Sequence, residues 1–370
     1  MDGVKAAVWR GSNGTVAIEP VSLVDPGPRD VAVRVAAVAI CHSDLAFLDG
    51  AWESEHPAIF GHEASGVVER VGREVSHVAP GDRVCVTLAR SCFDCVNCHA
   101  GRPVDCIGQT PLDGRVVIHG GNGTPIMQGL KTGAFAEHVL VDHSQVAPFP
   151  QEMPWTSAAV LSCATLTGYG AVSRTAQFSA GQTAMVIGAG GVGLNCVQAA
   201  AIEGASHIIA VDLAPERLDA ALEFGAHSTV NPNQSNMVDA AMARTGGLGV
   251  DRVFVCAASE RIIDEAVLAL APGGAVVIVG MPRTGVTCSY DPLVLATANR
   301  SIMGSKFGQA VVHDDIRALA SLYLQNKLKL DELITRTFPF EKINDALDAA
   351  RRGEGLRSVV VFDWAKGNAA

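Results

Sequence analysis

Cys92, Cys95, Cys98 and Cys106 are spaced C-x2-C-x2-C-x7-C. Four thiolates within so short a stretch can close a tetrahedral zinc site. Such a site keeps no coordination position open, so its role is structural. An iron–sulfur cluster and four free thiols are the competing readings. A zinc ribbon that reads nucleic acid would want a second knuckle and a basic surface, and the sequence offers neither.

A second chemistry is written in glycine. Gly188-Ala189-Gly190-Gly191-Val192-Gly193 fits G-x-G-x-x-G. It follows an apolar run at 184–187 and opens a helical stretch, and Asp212 ends the next apolar run. That context marks a dinucleotide turn. Gly188 permits the tight turn, Gly190 lets backbone approach a pyrophosphate, and Gly193 allows close helix–strand packing. Gly191 and Val192 bring their amides to the helix start, where phosphate binds well. The Asp212 carboxylate suits ribose hydroxyls and repels a 2′-phosphate, which favours NAD over NADP. Arg217 would flank the same ribose.

A third set is dispersed. Cys41 precedes His42-Ser43-Asp44, His62-Glu63 lies in Gly61-His62-Glu63-Ala64-Ser65-Gly66, and Cys163 follows Leu161-Ser162. Spacing alone does not join them. Taken singly, each cysteine reads as a small buried residue and His62 as a satisfied polar group.

The elements that must position these residues come in two patterns. Residues 1–150 carry short β-type runs at 5–9, 31–40, 66–71, 82–88 and 135–141, punctuated by Gly and Pro. One helix is expected over 156–173. From 182 to about 305, strands at 184–187, 207–211, 252–256 and 275–280 alternate with helices at 193–203, 215–224 and 260–271. That alternation means βαβ units and a parallel sheet. Further helices at 313–328 and 341–353 precede a last strand at 356–362 and a frayed tail from Trp364.

Composition sets outer limits. The chain has 370 residues, 48% hydrophobic and only 5% aromatic, which suits an α/β protein with aliphatic strands. A net charge of −10 argues against nucleic acid. The stretch 175–202 has no charged residue, but its glycines break it into strand, turn and helix rather than a membrane span. Met1-Asp2-Gly3-Val4-Lys5 lacks a signal-peptide pattern, so a cytoplasmic location is expected, where cysteines stay reduced.

Together, Cys41-x-Ser43-Asp44, Gly61-His62-Glu63-x2-Gly66, the four-cysteine lobe, Cys163-x3-Thr167-Gly168-Tyr169-Gly170, the glycine turn and Asp212 resemble the zinc-containing medium-chain alcohol dehydrogenases. Phe338-Pro339-Phe340-Glu341-Lys342-Ile343-Asn344 and Gly355-Leu356-Arg357-Ser358-Val359 extend the likeness over nearly the whole chain. The resemblance implies a GroES-like, mostly antiparallel β catalytic domain over 1–164 and 306–370, with a zinc lobe at about 91–107. Into it is inserted a Rossmann doubly wound parallel-sheet domain at 165–305.

The resemblance also implies two zinc ions per chain and NAD. Cys41, His62 and Cys163 become the ligands of a catalytic zinc, with Asp44 behind His62 and Glu63 beside the metal. Ser43 takes the alcohol proton, Thr167 meets the nicotinamide, and His42 and Arg357 meet the cofactor phosphates. Family members often carry a histidine where this chain has Ala46, so the proton relay would end at water beyond Ser43. The implied reaction is reversible hydride transfer between a primary alcohol, medium-chain or aromatic, and NAD, with Trp52 and Thr87-Leu88 lining the pocket.

Two alternatives stay open. A glutathione-dependent formaldehyde dehydrogenase would want basic pocket residues, and only Arg102, Arg115 and Lys131 lie nearby. A non-enzymatic structural or redox-sensing relative need not keep an open metal site. A homodimer is expected, paired through an edge strand near 300–304 and marked by a long loop at 107–130. Cys85, Cys196, Cys256 and Cys288 are expected to be small buried residues.

Overall fold

The computed structural model describes residues 1–11, 14–257 and 260–368. The chain divides into two compact units, Met1–Ala164 with Val311–Ala370, and Thr165–Ala310. The chain leaves the second unit at 310, not 305, because Phe307–Gln309 packs inside it. A Cβ built on Gly308 would stand 2.9 Å from the Gly170 Cα, so backbone meets backbone there.

The first unit holds two sheets. Its larger sheet places Asp30–Ala39 at the centre, with Glu63–Val71, His138–Asp142 and Arg357–Val361 antiparallel to it. Asp30–Ala39 is buried at nine of its ten positions, as a Val/Ala run covered on both faces should be. The smaller sheet runs Val4–Val8, Ala17–Leu23, Ile118–Gly120, Pro125–Gln128, Ala58–Ile59. Half of the expected loop at 107–130 is therefore a hairpin. Ile118 and Ile126 are each 3% exposed, and burying them stabilises the pairing. Loop length no longer argues for a dimer.

The second unit is one parallel sheet of six strands, ordered Ser228–Val230, His207–Val211, Thr183–Ile187, Val250–Val255, Leu270–Ile278, Ser301–Gly304. The chain steps outward from Thr183–Ile187 first one way and then the other. That reversal opens a crevice at the strand's carboxyl end, where ligands bind in doubly wound sheets. Among the described residues no helix is long and apolar enough to cross a membrane. The uncharged stretch at 175–202 is indeed strand, turn and helix.

Two local expectations change. The helix expected at 156–173 spans 155–175, but it widens to π-turns at Leu161–Thr165 and Ala171–Thr175. A π-turn adds a residue to the repeat and shifts the face that later side chains present. The tail is not frayed at Trp364. Its indole donates to the Val35 carbonyl at 2.8 Å, the Arg34 guanidinium lies 4.5 Å from its ring centre, and Ala365 is fully buried.

Candidate metal centres and dinucleotide turn

Among the described residues two groups of ligand side chains converge: Cys41, His62, Glu63 and Cys163, and the four lobe cysteines. Both lie in the first unit.

Cys41 ends the central strand's run and starts the helix His42–Leu48. His62 and Glu63 open the strand Glu63–Val71, and Cys163 sits in the first π-turn. Within each group the ligand atoms lie within 4.8 Å of one another. His62 Nε2 is 3.5 Å from Cys163 Sγ. A tetrahedral zinc with bonds of about 2.3 Å to sulfur and 2.0 Å to nitrogen needs S···N near ~3.5 Å. The donor set therefore fits zinc.

Asp44 holds this geometry. Fully buried, its Oδ1 is 3.1 Å from His62 Nδ1 and accepts from the Gly61 amide at 3.0 Å, while Oδ2 accepts from the Cys41 amide at 3.2 Å. A carboxylate on Nδ1 leaves Nε2 as the donor atom toward the metal. Burial alone would lower the His62 pKa; Asp44 and Cys41 outweigh it and raise it well above the usual value. Hydrogen bonding from Cys163 holds the Cys41 thiol well below its usual range and raises Cys163. Gly61 has φ +88°, and a Cβ there would meet the Phe135 backbone nitrogen at 2.7 Å. Its place before His62 was the available signal for that role.

Arg357 differs from expectation. The resemblance assigns it to the cofactor phosphates. The structure places its guanidinium on Glu63, with only 5% of the residue exposed. Burial pushes Glu63 up to about 8, against the pull of Arg357. The pair lies 294 residues apart in sequence, so no local pattern announces it. Ser43 is half-buried and His42 exposed on the first turn after Cys41. Thr167 lies in the second unit, in Leu166–Gly170.

The lobe cysteines stand at Sγ separations of 3.4 to 4.0 Å. Tetrahedral zinc–thiolate sites need about 3.8 Å, so this set also fits zinc. Backbone amides of Cys98 and Ile107 draw Cys95 down to about 5. A Cβ on Gly108 would collide with Cys92 Sγ, so only glycine closes that side. Arg29 ties the lobe to the sheet, donating to the Cys92 and Ser91 carbonyls and to Asp142, each at 3.3 Å.

Beside the lobe, Phe93 and three histidines pack together: His77 to His313 at 4.6 Å, His77 to His143 at 5.6 Å. Burial lowers both His143 and His313 below the usual 6.5, Asp142 opposing at His143 and Arg29 and His77 assisting. A histidine kept neutral by the fold binds protons more readily unfolded. Its stabilising share is full above pH 6.5 and drains as pH falls through the lowered pKa. Melting temperature is therefore expected to fall between pH 7 and 5.5, and less steeply in His313→Gln. Equal slopes in parent and variant would refute this origin.

In the second unit the glycine turn follows Thr183–Ile187. Gly188 has φ +93°, and Gly190 caps the helix Gly191–Ile202. A Cβ on Gly193 would run into the Gly188 carbonyl, while one on Gly190 would meet nothing within 4 Å. That open face suits a closely approaching phosphate. Asp212 accepts from the Ala189 amide at 2.7 Å and the Ala214 amide at 3.0 Å, and Arg217 stands 3.9 Å from it.

Residues 27–151 match the alcohol dehydrogenase GroES-like domain, and residues 191–325 match the zinc-binding dehydrogenase domain. Alcohol dehydrogenase class-P of Arabidopsis thaliana is 32% identical over 97% of both chains. An alcohol dehydrogenase zinc-binding domain protein from Burkholderia ambifaria superposes with TM-score 0.92 at 33% identity, covering 97% of this chain and 98% of that one. Benzyl alcohol dehydrogenase from Acinetobacter calcoaceticus gives 0.90 at 28% identity, covering 98% and 99%. With the donor sets and the glycine turn in place, this chain belongs to the zinc-containing medium-chain alcohol dehydrogenase family.

Proposed function

We propose that the protein moves hydride reversibly between a primary alcohol, medium-chain or aromatic, and NAD, giving the aldehyde, with two zinc ions per chain. The carrying observation is the Cys41–His62–Cys163 set with Asp44 behind the imidazole. Three protein donors leave a four-coordinate metal one position for substrate, the pattern of catalytic rather than structural sites. Zinc there supplies Lewis acidity to an alcohol or carbonyl oxygen, and the nicotinamide takes or gives the hydride.

The chain's residues do the rest. Asp44 fixes the ring that presents Nε2. Arg357 holds Glu63 in place beside the donor set and opposes the burial that raises its pKa. Ser43 takes the alcohol proton, and Ala46 has no group to pass it on, so water does. Thr167 meets the nicotinamide. His42 and the amides at Gly190, Gly191, Val192 and Gly193 meet the phosphates, while Arg357 is assigned to Glu63. Asp212 and Arg217 face the adenosine ribose.

The glutathione-adduct alternative loses support. Arg115 pairs with buried Asp30 at 2.6 Å, Lys131 lies 3.7 Å from Asp113, and Arg102 donates to Asn97. A cytoplasmic homodimer is the proposed working form, paired along Ser301–Gly304, an edge of the six-stranded sheet.

The test is turnover of primary, secondary and aromatic alcohols with NAD and NADP, beside zinc analysis. Aldehyde formation with NAD is expected; inactivity with two zincs bound would favour the non-enzyme. Asp212→Ala should cut kcat/KM for NAD by about tenfold, from one lost charged hydrogen-bond set, and lower the NAD/NADP ratio. Asp212→Asn keeps an acceptor for the Ala189 amide and separates that support from charge. An unchanged ratio in both variants would overturn the ribose assignment.

A further inference from the structure

Of the four cysteines expected to be small buried residues, Cys196 is one, but Cys256 is only half-buried and stands beside it. Cys196 is fully buried on the helix that the glycine turn opens, with its Sγ 3.4 Å from the Gly168 carbonyl. Cys256 follows the strand Val250–Val255 and is partly exposed. The two sulfurs stand 3.7 Å apart. Both belong to the second unit, and the metal clusters lie in the first. Cys85 is buried, with its Sγ 3.3 Å from the Ala158 carbonyl, and Cys288 is half-buried.

We propose that Cys196 and Cys256 are a modification site, forming a reversible disulfide when the protein meets a hydroperoxide, and that closing it weakens dinucleotide binding. The second half rests on assigning the turn at 188–193 to the dinucleotide. Cys256, the less buried of the two residues, attacks the peroxide O–O bond as thiolate. One oxygen leaves as water or alcohol, and Cys256 becomes a sulfenic acid. Cys196 then attacks the Cys256 sulfur, an S–S bond forms, and the hydroxyl leaves as water with the Cys196 proton. Two thiols and one peroxide give one disulfide and two hydroxyl products. A dithiol reductant reverses the change. Cys196 is not the first to react, since its hydrogen bond with Cys256 and its burial keep it protonated until Cys256 is oxidised.

The link to the turn is direct. The Cys256 and Ala257 amides donate to the Ile187 carbonyl at 2.8 and 3.1 Å, one residue before Gly188. A Cβ on Gly188 would meet the Ala257 nitrogen at 2.9 Å, and one on Gly280 the Cys256 carbonyl oxygen at 2.6 Å. The Cys256 backbone is thus held from two sides. A disulfide needs about 2.05 Å between sulfurs, so the helix bearing Cys196 must give, and its first residues are the proposed phosphate amides.

The experiment treats zinc-loaded protein with hydrogen peroxide, blocks residual thiols and maps linked peptides by mass spectrometry. NADH affinity is titrated before oxidation, after it, and after dithiothreitol. A 196–256 linked peptide is expected while zinc stays near two per chain. The NADH Kd should rise at least tenfold and return on reduction, and Cys196→Ala, in which Cys256 can form no disulfide with residue 196, should bind NADH like the reduced parent with or without peroxide. No linked peptide, or a linked peptide with unchanged Kd, would overturn the proposal. Equal peroxide sensitivity of Cys196→Ala would overturn it too. If the reduced parent binds no NADH, the dinucleotide reading fails and takes the affinity effect with it, while the linked peptide still decides the disulfide.

Discussion

Cys163→Ala is expected to lower zinc from two ions per chain to one and to cut kcat/KM for alcohol oxidation by about a thousandfold or more. Removing Lewis acidity forfeits several kcal/mol of transition-state stabilisation, and each ~1.4 kcal/mol is a tenfold loss. The fold should hold, since only one sulfur leaves a π-turn whose neighbours Leu161, Ala164 and Leu166 are at most 1% exposed. Asp44→Asn should give a smaller loss, about 10- to 100-fold in zinc affinity, as replacements behind a ligating histidine do. Asn keeps one acceptor oxygen, so it can serve the Cys41 amide or the Gly61 amide but not both. Zinc analysis beside steady-state kinetics checks both. A Cys163→Ala protein that keeps two zincs, or turns over normally with one, would remove Cys163 from the site.

The contrast between the two donor sets explains what could be read from sequence. The lobe cysteines are local, so spacing alone points to a metal site and its closed geometry, with free thiols as a competing reading. The glycine turn is local too, and its flanking strand and Asp212 supply the context. Cys41, His62 and Cys163 are joined only by folding, across the central strand, the next strand's start and a helix. Resemblance supplied what periodicity could not. The π-turn that carries Cys163 is invisible to a 3.6-residue pattern, which reads 156–173 as one helix. Glu63–Arg357 is a contact between distant segments, decided by burial. The hairpin at 118–128 was hidden by its brevity, since a three-residue strand such as Ile118–Gly120 carries almost no alternation. Asp30 and Asp142 show the same limit: they are cross-strand partners, fully buried, each with one oxygen lacking a hydrogen bond. Nothing in the local sequence marks either as buried.

Cys95→Ala should do the reverse of Cys163→Ala: zinc falls to one per chain, the chemistry survives and the lobe does not. Around Cys95 there is little apolar burial to replace a metal. The helix Val96–His99 has no buried residue, Val96 is 69% exposed and Phe93 44%. Pro103 and Val104 are the buried residues of the short turn before Cys106. Folding of such a segment is driven by ligand binding itself. With three thiols left, Arg29 still holds the Cys92 and Ser91 carbonyls, so opening should stop at the root of the lobe and leave Cys41, His62 and Cys163 assembled. The Phe93–Asp94 bond then becomes a chymotrypsin site. Cleavage there should quicken at least about tenfold, since local opening governs proteolysis and each ~1.4 kcal/mol of lost local stability is a factor of ten. Activity per remaining catalytic zinc should stay within about threefold before cleavage, a difference under ~1 kcal/mol. A Cys95→Ala protein that resists chymotrypsin at Phe93 would show that packing, not metal, holds the lobe. One that loses turnover at once would show that the two centres are not energetically separate.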